Sequence, residues 1–273
     1  MNSTILEAMI FRLNEIIESM TAAANSRDRM RAILVIVATI GTIFFNVLAA
    51  TGRVNYVTPD VISDKYPTIL TPAGYAFSIW SLIYLGMAAF SIYQIIGANL
   101  VRFRAIRSLY IFSCLLNCGW IYFWHRDQIG VCVVFIFTLL VTLFLMLILF
   151  RRSEASGGAL FTKVPFGIYA GWVTAASLVN FVIFLKYEGV EFSTFAWNAL
   201  GVVLIICAAA LTILVRSKLT NYFYPLAVAW ALTAIAVKQG GNTAIVVAAA
   251  IGVVTCLVTA GSVVVNLKDS SSE

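Results

Sequence analysis

The sequence predicts an all-α integral membrane protein, an eight-helix transmembrane bundle, and three observations predict it. The chain is 62% hydrophobic and only 11% charged, with a mean hydropathy of +0.97; a water-soluble core of 273 residues could not hide that much apolar surface. Its charges gather in short clusters, and the gaps between clusters approach the roughly 20 residues that a spanning helix needs. Those gaps are unbroken apolar runs, not the alternating pattern of barrel strands.

Residues 1–31 come first. Ile5, Met9, Ile10, Leu13, Ile16 and Ile17 recur at helical spacing, with Glu7, Arg12, Glu15 and Glu18 between them. This describes an amphipathic helix lying on a surface or against a partner. The segment has no secretory h-region, and its glutamates argue against a transit peptide. Spans follow at 32–52, within 66–101, at 108–124, 128–150, 164–185, 192–215 and 219–237, and within 239–267. The third is near the lower length limit and is expected to rely on Arg107 snorkelling toward the headgroups.

The net charge of +6 reflects orientation rather than a nucleic-acid partner. The N-terminal segment, the second, fourth and sixth loops and the C-terminus carry 13 of the 18 Lys and Arg; the alternate loops hold only Arg53, Lys65, Arg126, Lys186 and Lys238. The positive-inside rule then puts both termini on the cytoplasmic or equivalent side, as an even number of spans requires. Whether the membrane is a bacterial inner membrane or an organellar one is open.

The spans also exclude chemistry. No Asp, Glu, Lys or Arg lies near the middle of any of them, whereas proton relays, voltage sensors and ion-coupled transporters place ionisable groups at membrane depth. A retinal protein needs a mid-membrane Lys, and Lys238 is at a span end. His125, beside Arg126 and Asp127, reads as a solvated interfacial residue, so intramembrane acid–base catalysis has no agent. Cys114, Cys118, Cys132, Cys207 and Cys256 lie in apolar spans without a metal-ligand partner and read as small core hydrophobes. No metal site is expected.

What remains in the membrane is aromatic and amide chemistry. Phe77, Trp80 and Tyr84 share one helix face, as do Asn117, Trp120 and Trp124, and then Tyr169, Trp172, Ala176 and Asn180. Trp124 and Tyr187, at span ends, fit an interfacial aromatic belt. Trp80, Trp120 and Trp172 lie deeper, each with an indole N–H that needs a partner in hydrocarbon, and Asn117 and Asn180 pay a similar penalty facing lipid. These faces are therefore expected to meet inside the bundle, either around a ligand or bonded to one another.

Three pieces, TPAGYAFSIWSLIY at the second span, NCGWIYFW at the third and PFGIYAGWVTAASLVN at the fifth, resemble the TspO/MBR family of translocator proteins and tryptophan-rich sensory proteins. The fifth-span piece keeps the family's W-x-x-x-A-x-x-x-N spacing in Trp172, Ala176 and Asn180. Departures include Ala73 after Pro72 where the family has Pro-Pro, and Phe123-Trp124 where it has Phe-Phe. The likeness covers 32–187 as a TspO-like five-helix unit and leaves 188–273 as three additional helices and a short tail, which look like packing elements rich in Ala and Gly.

The resemblance implies a ligand-binding pocket under the loop 51–71, which Tyr56, Pro59 and Pro67 stiffen. Carried over, the pocket comprises Trp80, Tyr84, Asn117, Trp120, Tyr169, Trp172, Ala176 and Asn180. It implies a receptor or carrier for tetrapyrroles (porphyrin or haem-like) or sterol-like ligands, often dimeric, surrounded by membrane lipid and with no resident cofactor. Some members are reported to degrade porphyrin through the tryptophans matching Trp80 and Trp172, the only, weak, catalytic candidates. Thr71 is expected to cap the second span, with Pro72 in its first turn. Two other classes compete: a secondary transporter of small solutes, and a regulatory or structural protein in which the aromatic faces only join helices.

Overall fold

The computed structural model describes residues 3–96, 99–153 and 158–262, with side chains from residue 26 onward. The described residues are helices joined by short links. α1 (Ser3–Ala50) is continuous, and its apolar part is Ser26–Ala50. It stops in a Schellman motif: Gly52 takes φ +67°, the Gly52 N–H donates to Ala49 O and the Arg53 N–H to Leu48 O, so two terminal carbonyls are satisfied. The amphipathic face expected for 1–31 involves side chains that, up to residue 25, lie outside the described residues.

After α1 come the short α2 (Pro59–Lys65), a 3-10 turn (Gly74–Ser78), α3 (Ile79–Tyr93) and the one-turn α4 (Asn99–Arg102). Then follow α5 (Arg104–Trp124), α6 (Ile129–Arg152), α7 (Lys163–Tyr187), α8 (Thr194–Leu219), α9 (Phe223–Lys238) and α10 (Thr243–Gly261). Seven stretches are long and apolar enough to cross a membrane, α3 counting together with its 3-10 turn as Gly74–Tyr93; α9, at 16 residues, is shorter. It nevertheless runs from one end of the bundle to the other. Near its start, Asn221 accepts from the Phe223 and Tyr224 N–H groups and donates to Lys163 O at the head of α7; at its end, Lys238 pairs with Asp64 of α2. Among the described residues, seven candidate spans and this shorter apolar helix make the bundle, matching the eight segments that the sequence predicts.

α7 is central. Of its most apolar window 72% is buried, against 33% to 50% for the other long spans. It packs on α3, α6 and α9, while α1 packs on α3 and α5, and α10 on α8 and α9. Two glycines permit close approaches of α7 to its neighbours. A Cβ at Gly86 of α3 would overlap Pro165 of α7, and one at Gly171 of α7 would lie 2.5 Å from the Tyr224 carbonyl oxygen of α9. Of the small residues expected to pack α8 and α10, Ala208, Ala209, Ala249 and Gly252 are buried, Ala248 is half-buried, and Ala210 and Ala250 are exposed.

Several sequence expectations are corrected. Arg107 does not snorkel. It is fully buried and donates to the Gln94 side chain at 2.6 Å, Gln94 O at 2.9 Å, Leu100 O at 2.6 Å and Asn99 O at 3.1 Å, stapling the end of α3 to α5. Its charge is spread over the carbonyls of the broken helix end, of which Asn99 O also accepts from the Phe103 N–H at 3.1 Å. His125 is buried, not solvated, with Nδ1 2.7 Å from Ile121 O. Thr71 caps no helix: its hydroxyl accepts from the Thr68 N–H at 2.7 Å, because the chain turns through 3-10 geometry before α3 begins. Cys207 is exposed on the outside of α8 and is not a core residue.

Candidate ligand-binding site

The eight residues expected at the pocket lie in one contiguous cluster between α3, α5 and α7. Helical spacing sets each row on one face, and α7, flanked on several sides, brings the rows together. Trp80 is the hub. Its ring stacks on Tyr84 (centroids 5.5 Å apart, 16° between planes), tilts against Trp120 (6.3 Å) and meets the edges of Tyr169 (5.8 Å) and Trp172 (6.3 Å). Phe77 adds an edge contact to Trp172 at 5.9 Å. Offset and edge-to-face contacts of this kind suit the ring quadrupoles.

The amides supply the hydrogen bonds that the indoles and the phenol need. Trp120 Nε1 donates to Asn180 Oδ1 at 3.1 Å, and Asn180 Nδ2 donates back to Ala176 O at 2.8 Å. Asn117 Nδ2 donates to the Tyr169 hydroxyl at 3.0 Å, while its own Oδ1 accepts from Asn46 Nδ2 at 2.7 Å. The Asn46–Asn117–Tyr169 series thus crosses α1, α5 and α7. Asn46 was not among the sequence candidates, although an amide in the apolar run IFFNVL is the same signal that singles out Asn117.

Two hollows flank the cluster. A chamber of about 350 Å³ lies between α1, α2 and α3, lined by Asn46, Pro59, Asp60, Phe77, Trp80 and Tyr84 among others. A smaller cavity of about 30 Å³ lies deeper, against Ser63, Phe77, Trp120, Trp172, Ala176 and Asn180. Phe77 lines both. Each hollow is lined by a residue whose buried polar atom has no hydrogen-bond partner: Tyr84 (the hydroxyl) at the larger, Trp172 (Nε1) and Ser63 (the hydroxyl) at the smaller. Tyr84 adjoins Asn117 without reaching bonding geometry.

The loop 51–71 closes this end of the bundle, as expected, and it is fastened on two sides. Toward α5 and α6, Lys65 pairs with Asp127, the Tyr66 hydroxyl donates to Asp127 at 3.1 Å, and Asn55 Nδ2 donates to His125 O at 2.8 Å. Trp124 belongs to this fastening and not to an interfacial belt: it is buried, stacks on Trp120 and donates from Nε1 to Pro59 O at 3.1 Å. The Asp127 carboxylate holds the Lys65 ammonium above its ordinary pKa, and burial, with Asp127 next, pushes the Tyr66 phenol up.

On the other side the loop is held by α9. Gln239 Nε2 donates to Thr68 O at 2.9 Å and Thr71 O at 3.1 Å, Lys238 pairs with Asp64 at 2.8 Å, and the Ala73 N–H donates to Ala234 O at 2.9 Å. Trp230 Nε1 donates to Ala76 O at 3.0 Å. Ala231 and Ile235 of α9 also line the smaller cavity. These residues carry no sequence signal, because an Ala or Ile in an apolar run reads the same whether it faces a cavity, a helix or lipid.

Fold and site together define a class: a multi-pass helical membrane protein with an aromatic–amide interior under a fastened loop. Residues 32–263 match the family model described as TSPO-like protein, and the chain belongs to that family. The match runs through α8, α9 and α10 as well as the first five spans. Comparison with curated proteins and with solved structures gives no match.

Proposed function

We propose that this protein is a membrane receptor or carrier that takes a planar hydrophobic ligand, such as a tetrapyrrole or a sterol-like molecule, into the aromatic interior under loop 51–71. The observation that carries the reading is the meeting of Trp80, Trp120, Trp172, Tyr84 and Tyr169 beside a 350 Å³ chamber with an unpartnered phenol in its wall. Flat polarizable rings suit a flat ligand, and a buried unpaired donor calls for a partner. The chamber is at the low end of the roughly 300–1,000 Å³ typical of ligand pockets. A tetrapyrrole therefore enters with displacement of Phe77 or of the loop. Both termini face the cytoplasm or its equivalent in this reading, and the loop faces the opposite side.

Titration of the purified protein with protoporphyrin, followed by tryptophan fluorescence, tests the reading. Saturable quenching that weakens in Trp80→Phe and Trp172→Phe supports it; quenching unchanged in both variants removes the pocket. The Trp120–Asn180 and Asn117–Tyr169 bonds favour a second reading, in which the amides serve to join helices. In that case no planar ligand saturates.

A further inference from the structure

At the end of the bundle away from loop 51–71, a hollow of about 210 Å³ is lined only by charged residues: Arg27, Asp28 and Arg31 of α1 and Arg104 of α5. Asp28 is 2% exposed, and both of its oxygens accept from Arg104 Nε, at 2.9 and 3.0 Å, while Arg104 Nη2 also donates to Oδ2. The three arginines are exposed. Three guanidiniums against one carboxylate leave the lining with an excess of two positive charges. Arg27 and Arg31 stand one helical turn apart, so like charges repel along one face of α1. Asp28 fixes Arg104 beside that face.

The geometry points to a binding site for an anionic membrane lipid, its phosphate seated among Arg27, Arg31 and Arg104 and its acyl chains lying along α1. Depth is the first argument. The hollow lies where two neighbouring apolar spans begin, Ser26–Ala50 and Arg104–Trp124, which is the level of the headgroups. Shape is the second: Met30, Leu34 and Val37 continue the Arg27–Arg31 face of α1 toward the middle of the span, and they are 58%, 47% and 58% exposed. A charged head with an apolar track below it fits an amphiphile better than a free anion. Chemistry is the third. A guanidinium presents a planar fork of donors that matches phosphate oxygens. The Asp28 pair engages Nε and one terminal nitrogen of Arg104, and the two N–H groups of the other terminal nitrogen remain for an acceptor. A choline head is disfavoured, because its ammonium meets the guanidiniums. The site shares no residue with the two hollows under the loop and does not depend on what they bind. In the proposed orientation it opens to the cytoplasmic leaflet, whose anionic lipids attract basic groups. Because α1 and α5 both contribute, the bound phosphate ties these helices together beside the Asp28–Arg104 pair.

Native mass spectrometry of the full chain released from detergent micelles tests the inference by counting bound lipid. Phosphatidylglycerol and phosphatidylcholine with identical acyl chains are titrated in turn, and sn-glycerol 3-phosphate supplies the same phosphate chemistry without a membrane anchor. Four proteins are compared: the wild type, Arg31→Gln, the double variant Arg27→Gln/Arg31→Gln, and Arg29→Gln. Arg29 is an exposed arginine on the same helix that does not line the hollow, so its variant controls for surface charge alone. The substituted residues are exposed, and the buried Asp28–Arg104 pair is left intact, so all four should fold. One phosphatidylglycerol should bind the wild type roughly ten-fold or more tightly than phosphatidylcholine. Its affinity should fall about five-fold in Arg31→Gln and about twenty-fold in the double variant, and change less than about two-fold in Arg29→Gln. Equal affinity for the two lipids, a phosphatidylglycerol preference that survives the double variant, or an equal loss in Arg29→Gln overturns the inference. Binding of sn-glycerol 3-phosphate as tight as that of the lipid also overturns it, since the anion would then come from solution.

Discussion

Replacing Asn180 with Leu leaves the buried Trp120 indole N–H without its acceptor. Trp120 is 3% exposed, Asn180 is 2% exposed, and 3.1 Å separates donor from acceptor. A buried donor stranded in this way costs about 1–3 kcal/mol. In bilayers the measured value of an interhelical hydrogen bond is smaller, averaging about 0.6 and reaching about 1.7 kcal/mol, since the unfolded helices also find partners. Asn180 additionally gives up its bond to Ala176 O, which is intrahelical and of less consequence. The single change should therefore cost about 1–2 kcal/mol. Trp120→Phe removes the donor instead, and in the double variant neither group is left stranded. The double should consequently lose less than the sum of the singles, by about 1 kcal/mol. Reversible unfolding in mixed detergent micelles, followed by far-ultraviolet circular dichroism, measures all four corners of the cycle without relying on indole emission. A coupling within about 0.3 kcal/mol of zero would refute the reasoning. It would mean that Trp120 and Asn180 do not hold α5 to α7.

Three further outcomes are expected. Gly171→Ala places a methyl 2.5 Å from the Tyr224 carbonyl oxygen and 2.9 Å from Ala227 Cβ, both on the facing helix, so α7 and α9 must separate at a cost of about 1–3 kcal/mol, read as lowered thermal stability. Arg107→Met takes the donor from four acceptors, Asn99 O alone of the three carbonyls keeping the backbone N–H of Phe103, and should destabilise by on the order of 3 kcal/mol, with Arg107→Lys recovering only part, because an ammonium cannot span the same fork of carbonyls. The loop should loosen in alkali. Lys65 is held above its ordinary 10.5 and Tyr66 above its ordinary 10.0, so both stabilise the closed loop below those values and lose that contribution as pH rises through the raised ones. The exposed Lys65–Asp127 pair is worth at most about 1 kcal/mol; limited proteolysis between residues 51 and 71 should quicken above pH 10.5 and, in Asp127→Asn, should already be faster at neutral pH.

The crossings were legible because charge avoids hydrocarbon: the clusters at Arg102 to Arg107, Arg126 and Asp127, and Arg151 and Arg152 mark the helix ends to within a few residues. The shared faces of Trp80, Trp120 and Trp172 were legible for a related reason. A hydrogen-bonding group inside an apolar run must turn inward, and helical spacing says which neighbours turn with it. The same logic failed at Arg107 and His125, where position near a span end suggested water. The backbone there instead supplies buried carbonyls: Gln94 O, Asn99 O and Leu100 O for the guanidinium, and Ile121 O for the imidazole. Where a helix end folds back into the protein is a tertiary fact that no single-span pattern contains. Ser63 was invisible likewise, since a serine in a polar loop has no reason to be read as buried.

The last three helices were read as packing elements, and the structure gives that packing a purpose. A 16-residue helix extends about 24 Å, short of the roughly 30 Å hydrocarbon core, and would fit poorly if lipid surrounded it. α9 eases this mismatch by burying most of its length, although Leu226, Trp230 and Val237 remain exposed. Tyr224, Ala227, Val228, Ala231, Leu232 and Ile235 are buried, whereas α8 and α10 turn Val203, Ile206, Ile213, Val247, Ile251 and Val254 outward. α8 and α10 thus form a lipid-facing jacket around a short inner helix. That inner helix bonds the loop through Gln239, pairs Lys238 with Asp64 and walls the smaller cavity with Ala231 and Ile235. A helix held this close to α7 by Gly171 and the Tyr224–Thr174 hydroxyl contact of 2.7 Å cannot leave without exposing the Trp172 face. α9 therefore acts as one wall of the aromatic interior, which the five preceding spans do not close without it.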